Sequence, residues 1–443
     1  MNISQSQKAE EDPHPALPNN PFIPPKGDTC FINNLPPELL SRIFEVGAEE
    51  DGREDEDDIE ADLWEKFCQD LDGKGSGEKS TRDSDAEMNK ELEDEEETED
   101  EDEDDATESS DSHPSMTCPR FAIVVSHVCR HWRNVAFSTP SLWTTIEVTP
   151  MARPPYELES TLLERSKSLP IDIYVDCEAL EGHPCCEPPS SSDLLFLYTM
   201  LASHIHRWRT MEVSVSDYNL MYIFLIVVSG PSISGAPQLT TLELYDHEER
   251  EDFNTFEYPK LSMHRTLFSG SAPLLTRIVL WGVHVDWDQP WIASASNLTE
   301  LELAYHSEDV RPSWAQFVTI LRGATSLEKL SLHLSGPSGE PPEWYIEPTP
   351  GGPADLNTPI HLPRVTDFIL AFQPQARAIG LVRKLNLPAL KHLVLDFDEG
   401  DYTDFVHELA KPTPSSSPAQ EQHRSLLSKL ETLKISGLPC PHG

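Results

Sequence analysis

Three short stretches carry residues whose types and spacing could do chemistry. "GKGSGEKS" (73–80) is one residue away from a phosphate-binding loop, in which the backbone N–H groups of a glycine-rich turn cradle phosphate beside a lysine. Glu78 stands where the second glycine belongs, and its carboxylate would repel phosphate; no strand precedes it, so the stretch reads as linker. His127 and His131 lie one helical turn apart with Cys129 between them, but no second cluster of ligands follows nearby, and zinc needs four. They read as surface or interface residues of a helix. "HPCCEP" (183–188) offers His183, Cys185 and Cys186 in a loop, too few for a site. No Ser/His/Asp or Cys/His arrangement stands out. The expectation is a chain that is no enzyme and carries no metal or cofactor, so that its chemistry is that of binding.

The residues that could bind are set by the elements that carry them. From about residue 200 an apolar residue recurs with a second three positions later and a third two beyond that, starting at Trp208, Leu239, Leu275, Leu298, Leu327, Val365, Leu390 and Leu430. Each copy ends in L-x-L alternation, which belongs to a strand with one buried face. Helix-like pieces such as "WAQFVTILRGA" and "DFVHELA" lie between copies, and the spacings run from 23 to 40 residues. Strand-then-helix units of this kind stack into a solenoid with a parallel sheet; an ordinary α/β domain would show the same alternation, and the eight copies favour the solenoid. If the alternating leucines point inward, the open face carries Glu243 and Tyr245, Val279 and Trp281, Glu302 and Ala304, Ser331 and His333, and Ile369 and Ala371. Tyr245, Trp281 and His333 are the candidate substrate-binding residues there, the two larger aromatics being the better anchors, since aromatics favour hot spots. A loop covering them is equally compatible with the sequence.

The N-terminal third is organised differently. "LPPELLSRIFEV" predicts a helix over 37–46 with Leu39, Leu40, Ile43 and Phe44 on an apolar side, too short to be stable alone. After the acid-rich stretch, Phe121, Val124, Val125, Val128, Trp132, Val135 and Ala136 fall at helical spacing and predict one helix over 120–137, ended by Ser138–Thr139–Pro140. The two fragments are expected to complete each other, with Leu39 and Ile43 facing Val128 and Trp132 or a partner. Between them, residues 49–111 hold 32 acidic against 6 basic side chains. That insert, about 49–117, is expected to be disordered because nothing apolar offsets the entropy of ordering it; long loops cost little extra closure entropy. Inside it, Ile59, Leu63, Phe67 and Leu71 form one helical face, either a transient helix or a docking motif. Residues 1–28 are expected to be a disordered leader.

The formal net charge of −44 and the lack of any basic patch argue against nucleic acid and against an anionic membrane. The longest apolar run, "LMYIFLIVV" (220–228), is about half of what spans a bilayer. No secretory pattern opens the chain, eight scattered cysteines suit a reducing compartment, and the sequons at Asn2 and Asn297 read as chance. A soluble protein of cytoplasm or nucleus is expected.

"LPPELLSRIF" followed by "VSHVCRHWRNVAFSTPSLW" resembles the F-box, and the segment after it resembles the irregular leucine-rich repeats of fungal F-box proteins. The resemblance covers about 60 residues in two pieces. It implies an α/β chain, α+β overall, with a small helical F-box-like domain at 29–148, interrupted by the insert, and a leucine-rich-repeat-like solenoid at 149–443. It implies the substrate-recognition subunit of a Skp1–cullin–F-box ubiquitin ligase, docked on Skp1 and through it on a cullin-RING ligase, with an unknown protein substrate on the repeats. Leu35, Pro36, Leu39, Leu40, Ile43, Phe44, Val128, Cys129, Trp132 and Trp143 are then the Skp1 contacts, with Pro36, Leu40 and Phe44 foremost. The acidic insert departs from the family pattern. It could recruit a basic protein, be phosphorylated at Thr98 or Ser110, or serve as spacer. The alternative reading is a Skp1-independent repeat scaffold or acidic chaperone-like binder of basic proteins.

Overall fold

The computed structural model describes residues 32, 35–49, 120–178, 189–250, 252–262, 265–345, 356–397, 400–411 and 426–440. The leader, the body of the acidic insert with its helical face at 59–71, Thr98, Ser110, "GKGSGEKS" and the His183/Cys185/Cys186 loop lie outside the described residues. The chain divides into two units, Met1–Leu142 and Trp143–Gly443. The boundary falls six residues before the one expected from sequence, because the segment at 145–148 is a strand of the second unit's sheet.

In the first unit, helix α1 covers 37–49. Proline at its first position needs no N–H partner there. Leu40 and Phe44, one turn apart, are fully buried. The single helix expected over 120–137 is instead two, α2 (Phe121–Val128) and α3 (Arg130–Ser138). Cys129 between them is extended (φ −159°, ψ 171°), and its Sγ accepts from the Trp132 N–H at 3.5 Å, so the thiol caps α3. The Ser126 carbonyl near the break accepts from Arg133 Nε at 2.9 Å. The two fragments do close on each other: Phe44 packs on Trp132 and Phe121, at 5.1 and 6.5 Å between ring centroids. A Cβ on Gly47 would lie 2.4 Å from the Phe121 ring, so this crossing depends on glycine. The Ser41 and Thr139 hydroxyls meet at 2.8 Å, and Ser141 Oγ donates to Glu45 at 2.7 Å.

The second unit is mixed α/β, built on one parallel sheet of ten strands whose spatial order is their chain order: β1 (Thr145–Val148), β2 (Ile171–Cys177), β3 (Trp208–Val215), β4 (Thr241–Asp246), β5 (Arg277–Trp281), β6 (Glu300–Ala304), β7 (Lys329–His333), β9 (Asp367–Ala371), β11 (His392–Asp396) and β12 (Thr432–Gly437). The short strands β8 (Ile360–His361) and β10 (Leu385–Asn386) form a separate parallel pair. The connections carry α4 (Glu157–Arg165), α5 (Ser191–Ala202), α6 (Tyr218–Val228), α7 (Pro290–Ala293), α8 (Trp314–Gly323), α9 (Gln375–Lys384) and α10 (Thr403–Ala410). The eight repeated segments all become strands of the sheet. Strands β1 and β2 add two: β1 has the same spacing in Trp143, Ile146 and Val148, ahead of the stretch from about residue 200, and β2 alternates Ile171, Ile173 and Val175. No described helix is long and apolar enough to cross a membrane.

The register explains the repeat. Leu242, Ile278, Leu301, Leu330, Phe368 and Leu393 stand side by side across six strands, and Leu244, Leu280, Leu303, Leu332, Leu370 and Leu395 form a second row; all are essentially buried. Except for Trp208, which opens β3, the first apolar residue of each copy lies before its strand, where Leu239, Leu275, Leu298, Leu327 and Val365 are buried as a third row. A backbone ladder ties the turns together: Thr276 N–H donates to Thr240 O, Thr299 to Thr276, and Glu328 to Thr299. On β12 the same rows end in Leu433 and Ile435, which are 45% and 52% exposed.

Candidate functional site

Two surfaces hold the residues singled out from sequence. In the first unit, helical geometry puts Leu40 and Phe44 on one stripe and Leu39 and Ile43 on the neighbouring one. The stripe facing inward is the first. Leu40 and Phe44 are therefore core, as is Trp143, which is buried in the second unit with the Arg165 guanidinium 4.6 Å above its ring. None of the three offers free surface, although the resemblance puts Leu40 and Phe44 foremost among the contacts. Leu39 (56% exposed), Ile43 (46%), Val124 (46%) and Val128 (57%) are open to solvent, with Val46 beside them in sequence on α1. Of the two arrangements expected for Leu39 and Ile43, facing Val128 and Trp132 or a partner, their exposure suits the second, and the ring contact between the fragments is made by Phe44 on Trp132. Pro36 is exposed, and Leu35, Cys129 and Trp132 are half-buried.

The second surface is the face of the sheet opposite the leucine rows. Its residues fall in three rows by register. The middle row runs Tyr174, Glu212, Glu243, Val279, Glu302, Ser331 and Ile369 from β2 to β9; the next, toward the strand ends, runs Asp176, Ser214, Tyr245, Trp281, Ala304, His333 and Ala371. Tyr245, Trp281 and His333 do come together. Trp281 lies 5.4 Å from Tyr245, 6.4 Å from His333, 5.9 Å from His247 and 5.6 Å from Tyr305, measured between ring centroids. Tyr305 extends the array to Phe253 at 5.9 Å and Phe372 at 6.4 Å. Most of these rings are half-buried, in part by one another, while His333 is the most enclosed.

Backbone geometry aims two of these rings. In a regular strand the residue after Ala304 would point to the leucine side. Tyr305 instead adopts φ 53°, and Phe372, at the same place after Ala371, also has φ 53°; Leu334 (φ 44°) and Gly282 (φ 67°) hold the equivalent positions on β7 and β5. Their N–H groups still continue the ladder, to Ala304 O from Gly282, His333 O from Tyr305, Ala371 O from Leu334 and Asp396 O from Phe372. The left-handed region costs a side-chain-bearing residue about 1–2 kcal/mol. The sequence signal is the repeated "LAY" (303–305) and "LAF" (370–372), which pattern reading passed over.

Carboxylates hold this array. Trp281 Nε1 donates to Glu302 at 2.6 Å, and the Tyr245 hydroxyl donates to Glu243 at 2.5 Å. Arg277 bridges Glu243, at 2.7 Å, and Glu300. His247 and Ser214 both reach Glu178, at 3.2 and 2.8 Å. Glu212 accepts no hydrogen bond among the described residues. Burial, and then the neighbouring Glu243 carboxylate, push its carboxyl up from 4.5 to about 7 against the pull of Arg277. Burial pushes the His333 imidazole down against the pull of Glu302.

The remaining buried polar groups serve the frame. His306, pushed down to about 3 by burial, shares hydrogen bonds with Ser335 Oγ and Val283 O, both at 2.9 Å, and Gln373 donates to Ser335 O at 2.6 Å. These side chains satisfy backbone groups past the strand ends, as buried polar groups must. Among the described residues no group of three or more His, Cys, Asp or Glu is placed to hold a metal ion. No family model matches the chain, and no curated protein is significantly similar to it in sequence.

Proposed function

We propose that the chain is a non-catalytic adaptor, the substrate-recognition subunit of a Skp1–cullin–F-box ubiquitin ligase, docking on Skp1 through its first unit and holding a protein substrate on an irregular leucine-rich-repeat solenoid. The observation that carries this is the row of large aliphatic residues left in solvent on the small helical unit: Leu39, Ile43, Val124 and Val128. Exposed aliphatics grouped on so small a unit mark an interaction site. They fall within the two fragments that resemble the F-box. The ten-stranded parallel sheet with strands in chain order is the frame that the repeat reading requires.

The test is co-purification of the full chain with Skp1. Ile43→Asp and Val128→Asp change exposed positions, so the fold should persist while retention falls at least about thirtyfold, the loss of about 2 kcal/mol typical of an anchor. Failure of the unmutated chain to retain Skp1, or full retention by both variants, would sink the assignment.

A further inference from the structure

The middle and upper rows of the sheet's open face combine two features that occur apart on ordinary protein surfaces. Seven aromatic or imidazole rings, Tyr245, His247, Phe253, Trp281, Tyr305, His333 and Phe372, touch in a chain from β4 to the end of β9. Beneath them, the middle row presents Glu212, Glu243 and Glu302, with no basic residue from β2 to β9. Arg277, from the adjoining row, is shared between Glu243 and Glu300. Two polar groups in this row are unmatched. Among the described residues Glu212 lacks a donor, and Ser331 Oγ is fully buried without a hydrogen-bond partner, beside Glu302 in the register. A buried hydroxyl without a partner, on the face that carries the rings, marks a place where an incoming polar group would be held.

We infer that this face binds an extended protein segment bearing arginine or lysine, with a cationic side chain on Glu212 and the neighbouring chain laid across Tyr245, Trp281 and Tyr305. A carboxylate that lacks a hydrogen-bond donor among the described residues, and π faces alongside it, both attract a guanidinium or ammonium. The acidic row repels phosphate, which rules against nucleic acid. Length points to a chain rather than a single small cation. From β3 to β9 is five inter-strand steps of about 4.8 Å, or about 24 Å, the span of about seven extended residues. The inference deepens the adaptor reading, since this segment would be the part of the substrate that the sheet holds.

The probe is a fluorescein-labelled dodecapeptide of four Gly-Arg-Ser units, compared with its Lys, Gln and Glu counterparts, titrated into the full chain by fluorescence anisotropy. The acidic insert also attracts cations, so the decisive arms are point variants of the sheet. Glu212→Gln keeps the shape and removes the charge; Trp281→Ala removes the central ring. Each should weaken the Arg and Lys peptides about tenfold, and the Gln and Glu peptides should bind far more weakly to the unmutated chain. Unchanged affinity in both variants places the peptide on the insert and overturns the inference. Equal binding of the Gln peptide overturns it as well. Skp1 retention, measured on the same samples, separates the two proposals. Peptide binding lost in Glu212→Gln without any Skp1 retention leaves the sheet site standing and the adaptor role fallen, and the converse result does the reverse.

Discussion

Replacing Glu212 by glutamine should make the protein more stable, and more so as pH rises. The side chain lies between Tyr174 on β2 and Glu243 on β4, diagonal to Tyr245. Charged groups facing it are Glu243, Asp176 and Glu178, which oppose its ionisation, and Arg277, which favours it. Burial is the largest influence, and together they raise the carboxyl from 4.5 to about 7. A folded value above the unfolded one means that the native chain binds the proton more tightly. Stability from this group is therefore full at acid pH below the unfolded value and is lost as pH rises through about 7. Integrating between the two values, the ionisable carboxyl costs about 2 kcal/mol at about pH 6 and about 3 kcal/mol at about pH 8.5. Glutamine has the same shape and no charge, so the variant should recover most of that cost, and the gap between variant and wild type should widen by about 1 kcal/mol across that range. Urea unfolding of the full-length proteins, followed by far-ultraviolet circular dichroism at both pH values, measures it. A variant no more stable than wild type at the higher pH, or a gap that narrows as pH rises, would refute the reasoning.

Two further substitutions test the frame. Phe44→Ala removes the ring between Phe121 and Trp132 and should cost about 3–5 kcal/mol, enough to open the first unit, which hydrogen exchange at 121–138 would report; the neighbouring exposed Ile43→Ala should cost less than about 1 kcal/mol in the same measurement. Gly323→Ala, at the end of α8, sets a methyl 2.4 Å from the Ala293 carbonyl oxygen of α7. It should lower stability by about 1–3 kcal/mol in thermal unfolding, because backbone rather than a flexible side chain must give way.

The strand pattern was legible because an interior of leucines repeats the same three positions in every copy, and each became a buried row. The closing of 37–49 on 120–138 was legible too, since neither fragment alone could bury its apolar side. What escaped was orientation. Leu39, Leu40, Ile43 and Phe44 are apolar alike, and spacing cannot say which one-turn pair faces inward; the aromatic contact of Phe44 with Phe121 and Trp132 decides it. The apolar spacing also runs unbroken through Cys129, so only the extended backbone and the thiol cap reveal two helices. Strand β1 carries the same spacing in Trp143, Ile146 and Val148 but lies ahead of the stretch from about residue 200, and β2 has proline, Pro170, where the first apolar residue would stand. Tyr305 and Phe372 were hidden by the alternation rule itself. A left-handed residue at the strand end reverses the side that parity assigns, so rings counted as inward join the open face.

The irregularities of the sheet fall unequally on its two sides. The leucine rows pair like with like in every register and are buried up to β11, only Leu433 and Ile435 of β12 remaining exposed. On the other side lie a carboxyl that burial disfavours, on β3, a hydroxyl without a partner among the described residues, on β7, and Tyr305, Leu334 and Phe372 in left-handed backbone just past the ends of β6, β7 and β9. Each lowers stability by an amount comparable to a single mutation, and nothing in the packing of the leucine side requires them. Departures from local rules are expected where a surface is shaped for something other than folding. Glu212→Gln puts that to a joint test. If the carboxylate is there for a cationic partner, one substitution must move two quantities in opposite directions, raising the unfolding midpoint at about pH 8.5 while weakening the arginine peptide about tenfold. A stability gain with unchanged peptide affinity would mean that the strain is local to the fold and the face has no such partner.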